Sequence, residues 1–210
     1  MIKVLIADDH PIVRAGLKQI LSDASDIEVA CEAGDGHELL KLIRKGGISV
    51  VLLDITMPGL AGLDALKQIK AETPELPVLV LSVHPEDQYG IRVLKAGGAG
   101  YLMKSAAPDL LVAAIRKVHR GGRYVSPALA EKMAFGLQTG AAGLLHETLS
   151  DREYQVLCMI ASGKTVKAIG EELALSEKTI STYRARILEK MGMKTNAELT
   201  HYAIKLGLVD

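Results

Sequence analysis

The sequence predicts an α/β chain in two parts: a doubly wound, five-stranded parallel sheet, then a small all-α domain of four helices. Three observations carry this. Over the first 120 residues, short apolar runs alternate with stretches of three- and four-residue spacing, the pattern of βαβ units with helices on both faces of a parallel sheet. After a glycine-rich stretch, no strand signal survives from residue 149 onward. The apolar share, 49 % of 210 residues, supports packed cores rather than a disordered chain.

The apolar runs fall at residues 4–7, 27–30, 50–53, 78–81 and 100–103. The opening "MIKVLIADDH" meets two acids after its short apolar run, which makes it a strand and not a leader. Between the strands, Ile12, Leu17, Ile20 and Leu21 mark one helix, Leu63, Leu66 and Ile69 another, and Leu110, Leu111, Ala114, Ile115 and Val118 a third. Residues 1–120 are thus assigned to the α/β domain. Residues 121–147, rich in glycine with one proline, read as a linker with a short helix at 127–136. Residues 148–210 form the second domain, with helices at 151–161, 166–173, 178–191 and 196–206. No stretch approaches the ~20 apolar residues that span a bilayer. Cys31 and Cys158 are far apart, follow no metal spacing and sit in apolar surroundings, as reduced core residues of a cytoplasmic protein do. Lysine plus arginine equals aspartate plus glutamate, 25 each, so any nucleic-acid surface must be local.

Strand C-terminal ends of a parallel sheet open on one edge, where ligands bind. After the first strand come Asp8 and Asp9, after the third Asp54, after the fourth Ser82 and after the fifth Lys104; Glu32, after the second, is expected to lie outside. Each has a plain structural reading: Asp8 and Asp9 can cap the helix opening at Pro11, Asp54 can serve the turn of "DITMPG", and Ser82 and Lys104 can be loop residues. Their conjunction on strand ends is chemical. Crowded carboxylates repel unless a cation neutralises them, and Mg²⁺ suits an oxygen site of one or two carboxylates plus phosphate. Asp54 is then a nucleophile able to accept a phosphoryl group as an acyl phosphate. Lys104 and the metal stabilise the transferring oxygens, and Ser82 hydrogen-bonds one of them.

The motifs "VLIADDHP", "VVLLDITMPG", "VLVLS" and "GYLMK" resemble the receiver domain of bacterial two-component response regulators over about the first 120 residues. The resemblance implies a flavodoxin-like sheet and phosphotransfer from a sensor histidine kinase to Asp54. It also implies Mg²⁺ held by Asp9, Asp54 and the backbone carbonyl of Thr56, with Asp8 assisting. Tyr101 stands at the family's aromatic switch position and Ser82 at its hydroxyl partner; on phosphorylation the ring is expected to swing inward. In "KSAAP" the proline that many receivers carry after the lysine is delayed to Pro108.

In the second domain, Ser176 is an N-cap that starts a new helix. Its Ile180, Ile187 and Met191 share one inward face, while Lys178, Ser181, Thr182 and Ala185, flanked by Arg184 and Arg186, share the other. Four basic residues, Lys178, Arg184, Arg186 and Lys190, face one acid, Glu189, although residues 148–210 as a whole are nearly neutral. A solvated surface helix would look similar; the helix–break–helix spacing with small exposed residues favours a helix that enters the DNA major groove. "LSDREYQVLCMIASGKT" and "LALSEKTIS" resemble the helix-turn-helix of the LuxR/FixJ/NarL class, with 166–185 as the motif proper. By that match Lys178, Ser181, Thr182 and Ala185 lie where bases are read, with Arg186 alongside, and Thr179 and Lys190 are placed for phosphate contacts. Val166 and Ala168 depart from the family's usual residues in the packing and capping of the scaffold helix, and "ISTY" removes a basic residue from the reading face, which bears on the operator sequence.

The sequence therefore reads as a DNA-binding response regulator, its only chemistry that of its own Asp54, dimeric when phosphorylated so that two recognition helices meet symmetric half-sites. Leu199, Tyr202, Ala203 and Leu206 on the last helix are either its dimer contact or core. Two other classes fare worse. An Asp-dependent phosphatase of the haloacid-dehalogenase type needs a second carboxylate two residues on, where Thr56 stands. In "AGGAGY" the glycines precede a strand, so the dinucleotide fingerprint fails.

Overall fold

A computed structural model describes residues 1–57, 62–139 and 144–209, with the backbone alone at 87, 132 and 135–139. The turn residues Pro58 and Gly59, part of the linker at 140–143 and the C-terminal residue lie outside the described residues. Two compact units divide the chain, residues 1–130 and 131–210.

The first unit is built on five parallel strands, β1 (Ile2–Ala7), β2 (Ile27–Ala33), β3 (Val50–Asp54), β4 (Val78–Ser82) and β5 (Gly100–Met103), in the order β2-β1-β3-β4-β5. This is the flavodoxin-like doubly wound order. The helices α1 (Pro11–Ser22), α2 (Gly36–Arg44), α3 (Gly62–Glu72), α4 (Glu86–Lys95) and α5 (Pro108–His119) alternate with the strands. Central strands β3 and β4 are buried along their whole length, which is why they read as unbroken Val/Leu runs. Asp54 and Ser82 turn out to be the last residues of their strands, not the first beyond them. β2 continues through Glu32 to Ala33, because it pairs with β1 to its end.

Two residues counted towards helix cores are exposed. Ile12 is 84 % exposed, half a turn around α1 from buried Leu21, and Leu110 is 47 % exposed at the edge of the α5 stripe formed by Leu111, Ala114, Ile115 and Val118. Cys158 is buried, but Cys31 is only half-buried, since β2 is an edge strand; both are free thiols.

α6 (Pro127–Thr139) runs past 136 and crosses the boundary between the units. A 3₁₀ turn (Leu145–Thr148) leads into α7 (Asp151–Ala161), α8 (Val166–Leu173), α9 (Glu177–Met191) and α10 (Asn196–Lys205). Each of these four helices opens on a side-chain cap: Ser150 accepts from Glu153 N–H, Thr165 from Ala168, Ser176 from Thr179 and Thr195 from Glu198. The second core gathers Tyr154, Leu157, Ile169, Leu173, Ile180, Ile187, Met191, Leu199 and Ala203. Leu199 and Ala203 are thus core, whereas Leu206 is 37 % exposed. Among the described residues no helix is long and apolar enough to cross a membrane.

Candidate phosphoacceptor site and DNA-reading helix

Parallel register brings the ends of β1, β3, β4 and β5 to one edge. There Asp54, 1 % exposed, receives the Thr56 N–H (3.1 Å) and Thr56 hydroxyl (2.9 Å) on Oδ1, and the Lys104 ammonium (2.9 Å) on Oδ2. Lys104 Nζ also lies 2.6 Å from Asp8 Oδ2. Burial pulls the Lys104 pKa down, but the Asp8 and Asp54 carboxylates outweigh it and hold the ammonium above the ordinary lysine value. Asp8 Oδ1 accepts the His10 N–H (2.9 Å), which fixes the loop after β1. Glu32 stays outside, paired with Arg14 and Lys18.

The donor set fits a divalent cation. Asp8, Asp9, His10 and Asp54 each offer a ligand atom within 4.8 Å of the others. Asp8 Oδ2 and Asp9 Oδ1 are buried oxygens that receive no aligned hydrogen bond among the described residues. Hard carboxylate oxygens of this kind suit a hard divalent cation such as Mg²⁺, Mn²⁺ or Ca²⁺.

Ser82 is fully buried and its Oγ accepts the His84 N–H (3.0 Å), while the Tyr101 hydroxyl donates to the His84 carbonyl (2.8 Å). The Tyr101 ring is 1 % exposed, so it lies inward here; burial pushes its phenol well above the usual range. Three contributors escaped the sequence reading. Neither the Thr56 hydroxyl nor His10 gave a signal in residue spacing. Gly62 opens α3 where a Cβ would fall 2.5 Å from Ile55 Cα and 2.6 Å from the Asp54 carbonyl, so only glycine lets α3 start against the site; a glycine opening a helix was the available clue.

In the second unit, α8 and α9 are joined by a tight turn in which Ala174 takes a left-handed conformation (φ 52°). Ile180, Ile187 and Met191 bury one face of α9, while Lys178, Ser181, Thr182, Ala185 and Arg186 are exposed and Thr179 is half-buried beside Ser176. The Thr182 hydroxyl donates back to the Lys178 carbonyl (2.9 Å). Arg184 is tied to Asn196 of α10. Lys190 spends one N–H on Glu153, 2.6 Å away, a carboxylate only 3 % exposed.

Comparison with known proteins decides the family. Residues 4–116 match the response regulator receiver domain, and residues 147–203 match the bacterial regulatory proteins of the luxR family. The chain belongs to the response regulators. Response regulator UvrY of Escherichia coli (strain K12) is 42 % identical over all of this chain and 97 % of its own. Response regulator GacA of Pseudomonas aeruginosa is 40 % identical, covering all of this chain and 99 % of its own. RcsB from Salmonella enterica serovar Typhimurium, solved bound to promoter rprA in the presence of phosphomimetic BeF₃⁻, is similar at a TM-score of 0.65 and 31 % identity, over 96 % of this response regulator and 98 % of RcsB. This response regulator is therefore a receiver followed by a LuxR-type DNA-binding domain, a transcription-control architecture rather than that of a turnover enzyme.

Proposed function

We propose that Asp54 is the phosphoacceptor of this response regulator and that its phosphorylation controls DNA binding by α9. The observation that carries this is the Lys104 ammonium held between Asp54 and Asp8 at the sheet edge. An Asp54 carboxylate oxygen attacks the phosphorus of a phosphohistidine on a sensor kinase; the P–N bond breaks and its electron pair returns to the imidazole. Thr56 and Lys104 hold the nucleophile in place, and Lys104 also meets the negative charge on the transferring oxygens. Asp8, Asp9, Asp54 and the Thr56 carbonyl would hold Mg²⁺, which supplies charge neutralisation for the incoming phosphoryl oxygens. The protein's own chemistry stops at gain and loss of this group.

Ser82 and Tyr101 form the switch: both are already joined to His84, so a phosphate that draws the Ser82 hydroxyl acts on the same loop that anchors the Tyr101 phenol. Population shifts towards the inward ring, in a receiver of residues 1–120 with a linker at 121–147. The domain of residues 148–210 then acts as a homodimer. Lys178, Ser181, Thr182, Ala185 and Arg186 read base edges, while Thr179 and Lys190, whose ammonium keeps two further N–H donors, meet phosphates. RcsB in complex with its promoter supports this reading, as does the exposure of the α9 face. The setting is cytoplasmic.

The test treats wild type and Asp54→Asn with acetyl phosphate and Mg²⁺, followed by intact mass, oligomeric state and binding to a DNA pool at fixed salt. One phosphoryl group on wild type alone, with dimerisation and tighter DNA binding, is expected. Equal labelling of both proteins would overturn the assignment of Asp54.

A further inference from the structure

The start of the linker is bound to the switch face of the first unit. Tyr124 N–H donates to the Ala99 carbonyl (2.8 Å), and Tyr124 pairs with Gly100 in parallel register, extending the sheet beyond β5. A Cβ on Gly100 would stand 2.6 Å from the Tyr124 carbonyl, so this close approach requires glycine. Two residues on, the Ser126 hydroxyl does two things. It accepts the Leu129 N–H (3.1 Å), capping α6, and donates to Glu86 Oε2 at the first position of α4. Leu129, 1 % exposed, sits over Gly90 of α4, where a Cβ would lie 2.8 Å from its Cδ2.

The same turn of α4 is held from the other side. Tyr101 donates to the His84 carbonyl, two residues before Glu86, and the His84 ring lies 5.4 Å from that of Tyr89 on α4. We propose that the N-terminal face of α4 is the docking surface for residues 126–129 of this chain's own linker, and that Glu86 and Ser126 form a latch whose closure depends on the position of Tyr101. With the ring inward, the His84 carbonyl is fixed and Glu86 stands ready for the Ser126 hydroxyl. With the ring outward, the loop loses its donor, Glu86 is released and the first turn of α6 frays. Because α6 crosses from one compact unit into the other, this turn is where the receiver's state passes into the chain that leads to the DNA-binding helices. The phosphate dependence of the latch rests on the function proposed above; its dependence on Tyr101 does not.

Hydrogen exchange at the Leu129 and Ala130 amides in the full chain tests it, with and without acetyl phosphate and Mg²⁺. In wild type, phosphorylation is expected to slow exchange by about fivefold or more, the lower end of ordinary allosteric coupling. Ser126→Asp keeps an N-cap acceptor but sets a carboxylate against Glu86. It is expected to exchange fast in both states while Asp54 is phosphorylated as in wild type. Adding Glu86→Gln to Ser126→Asp supplies an amide donor and should restore slow exchange, which a capping role alone does not predict. Tyr101→Phe removes only the hydroxyl and should speed exchange at Leu129 without any phosphate. A Ser126→Asp protein that responds as wild type does, or a Tyr101→Phe protein with unchanged exchange, overturns the latch. Failure of wild type to take phosphate on Asp54, with Tyr101→Phe still speeding exchange, overturns the proposed function and leaves the latch standing.

Discussion

Lys104 shows how much one side chain sets at the proposed phosphoacceptor site. Its side chain is 14 % exposed and its ammonium is shared by two carboxylates. Because its folded pKa is raised, its contribution to stability is complete below the ordinary lysine value and is lost only as pH rises through the folded one; at neutral pH it acts in full. Lys104→Met leaves Asp8 and Asp54 facing each other without a fixed cation. Labelling by acetyl phosphate is expected to slow by ~10²-fold, the usual loss for one oriented donor. Urea titration without divalent ions should show a loss on the order of 3–5 kcal/mol, the cost of removing one partner of a buried ion pair, partly recovered in Mg²⁺ because the metal replaces the missing charge. The lysine was legible in the sequence because strand ends of a parallel sheet share an edge, so five residues far apart in sequence could be placed together. The Thr56 hydroxyl and the Tyr101–His84 bond were not, since each depends on a rotamer that spacing does not specify.

Helices follow the same division. The α9 stripe of Ile180, Ile187 and Met191 was legible from spacing, and so was its Ser176 cap. Ile12 and Leu110 were miscounted because an apolar residue in a first helical turn need not face the sheet. The Glu153–Lys190 pair was invisible, as it joins α7 to α9 across 37 positions. It carries a pH prediction. Burial raises the Glu153 pKa, but Lys190 and the Ser150 cap outweigh that and leave it below the usual carboxylate range. A depressed folded pKa stabilises above the unfolded value and the benefit fades as pH falls through the folded one. The second unit should therefore lose stability below about pH 4.3, the ordinary glutamate value, and Glu153→Gln should flatten that acid limb in pH-dependent thermal melts. Ala174 carries another. A left-handed alanine costs on the order of 1 kcal/mol, which glycine avoids while adding unfolded-state entropy, and a β-branched residue fits worse. Stability of the second unit should rank Ala174→Gly above wild type by about 0.5 kcal/mol and Ala174→Val below it by about 1–2 kcal/mol, read by urea unfolding.

At the scale of the molecule, division into two units places the metal-ligand cluster found among the described residues in the first: Asp8, Asp9, His10 and Asp54 all precede residue 131. A ligand that binds only the folded state stabilises the cooperative unit that contains its site, by RT ln(1 + [L]/Kd). Calorimetry of the full chain should then show two transitions, with Mg²⁺ raising the one that belongs to residues 1–130. The expected gain is about 1.4 kcal/mol at ten times Kd, and it should vanish in Asp9→Asn, which removes a ligand without touching Lys104. Ala174→Gly must move the other transition alone. The two perturbations label the units independently, so the assignment does not rest on which one melts first. A single transition that shifts as a whole with both Mg²⁺ and Ala174→Gly would mean that α6, continuous across the boundary, fuses the units into one cooperative body. In that case phosphorylation of Asp54 would alter the stability of the DNA-binding helices directly, with no change in oligomeric state required.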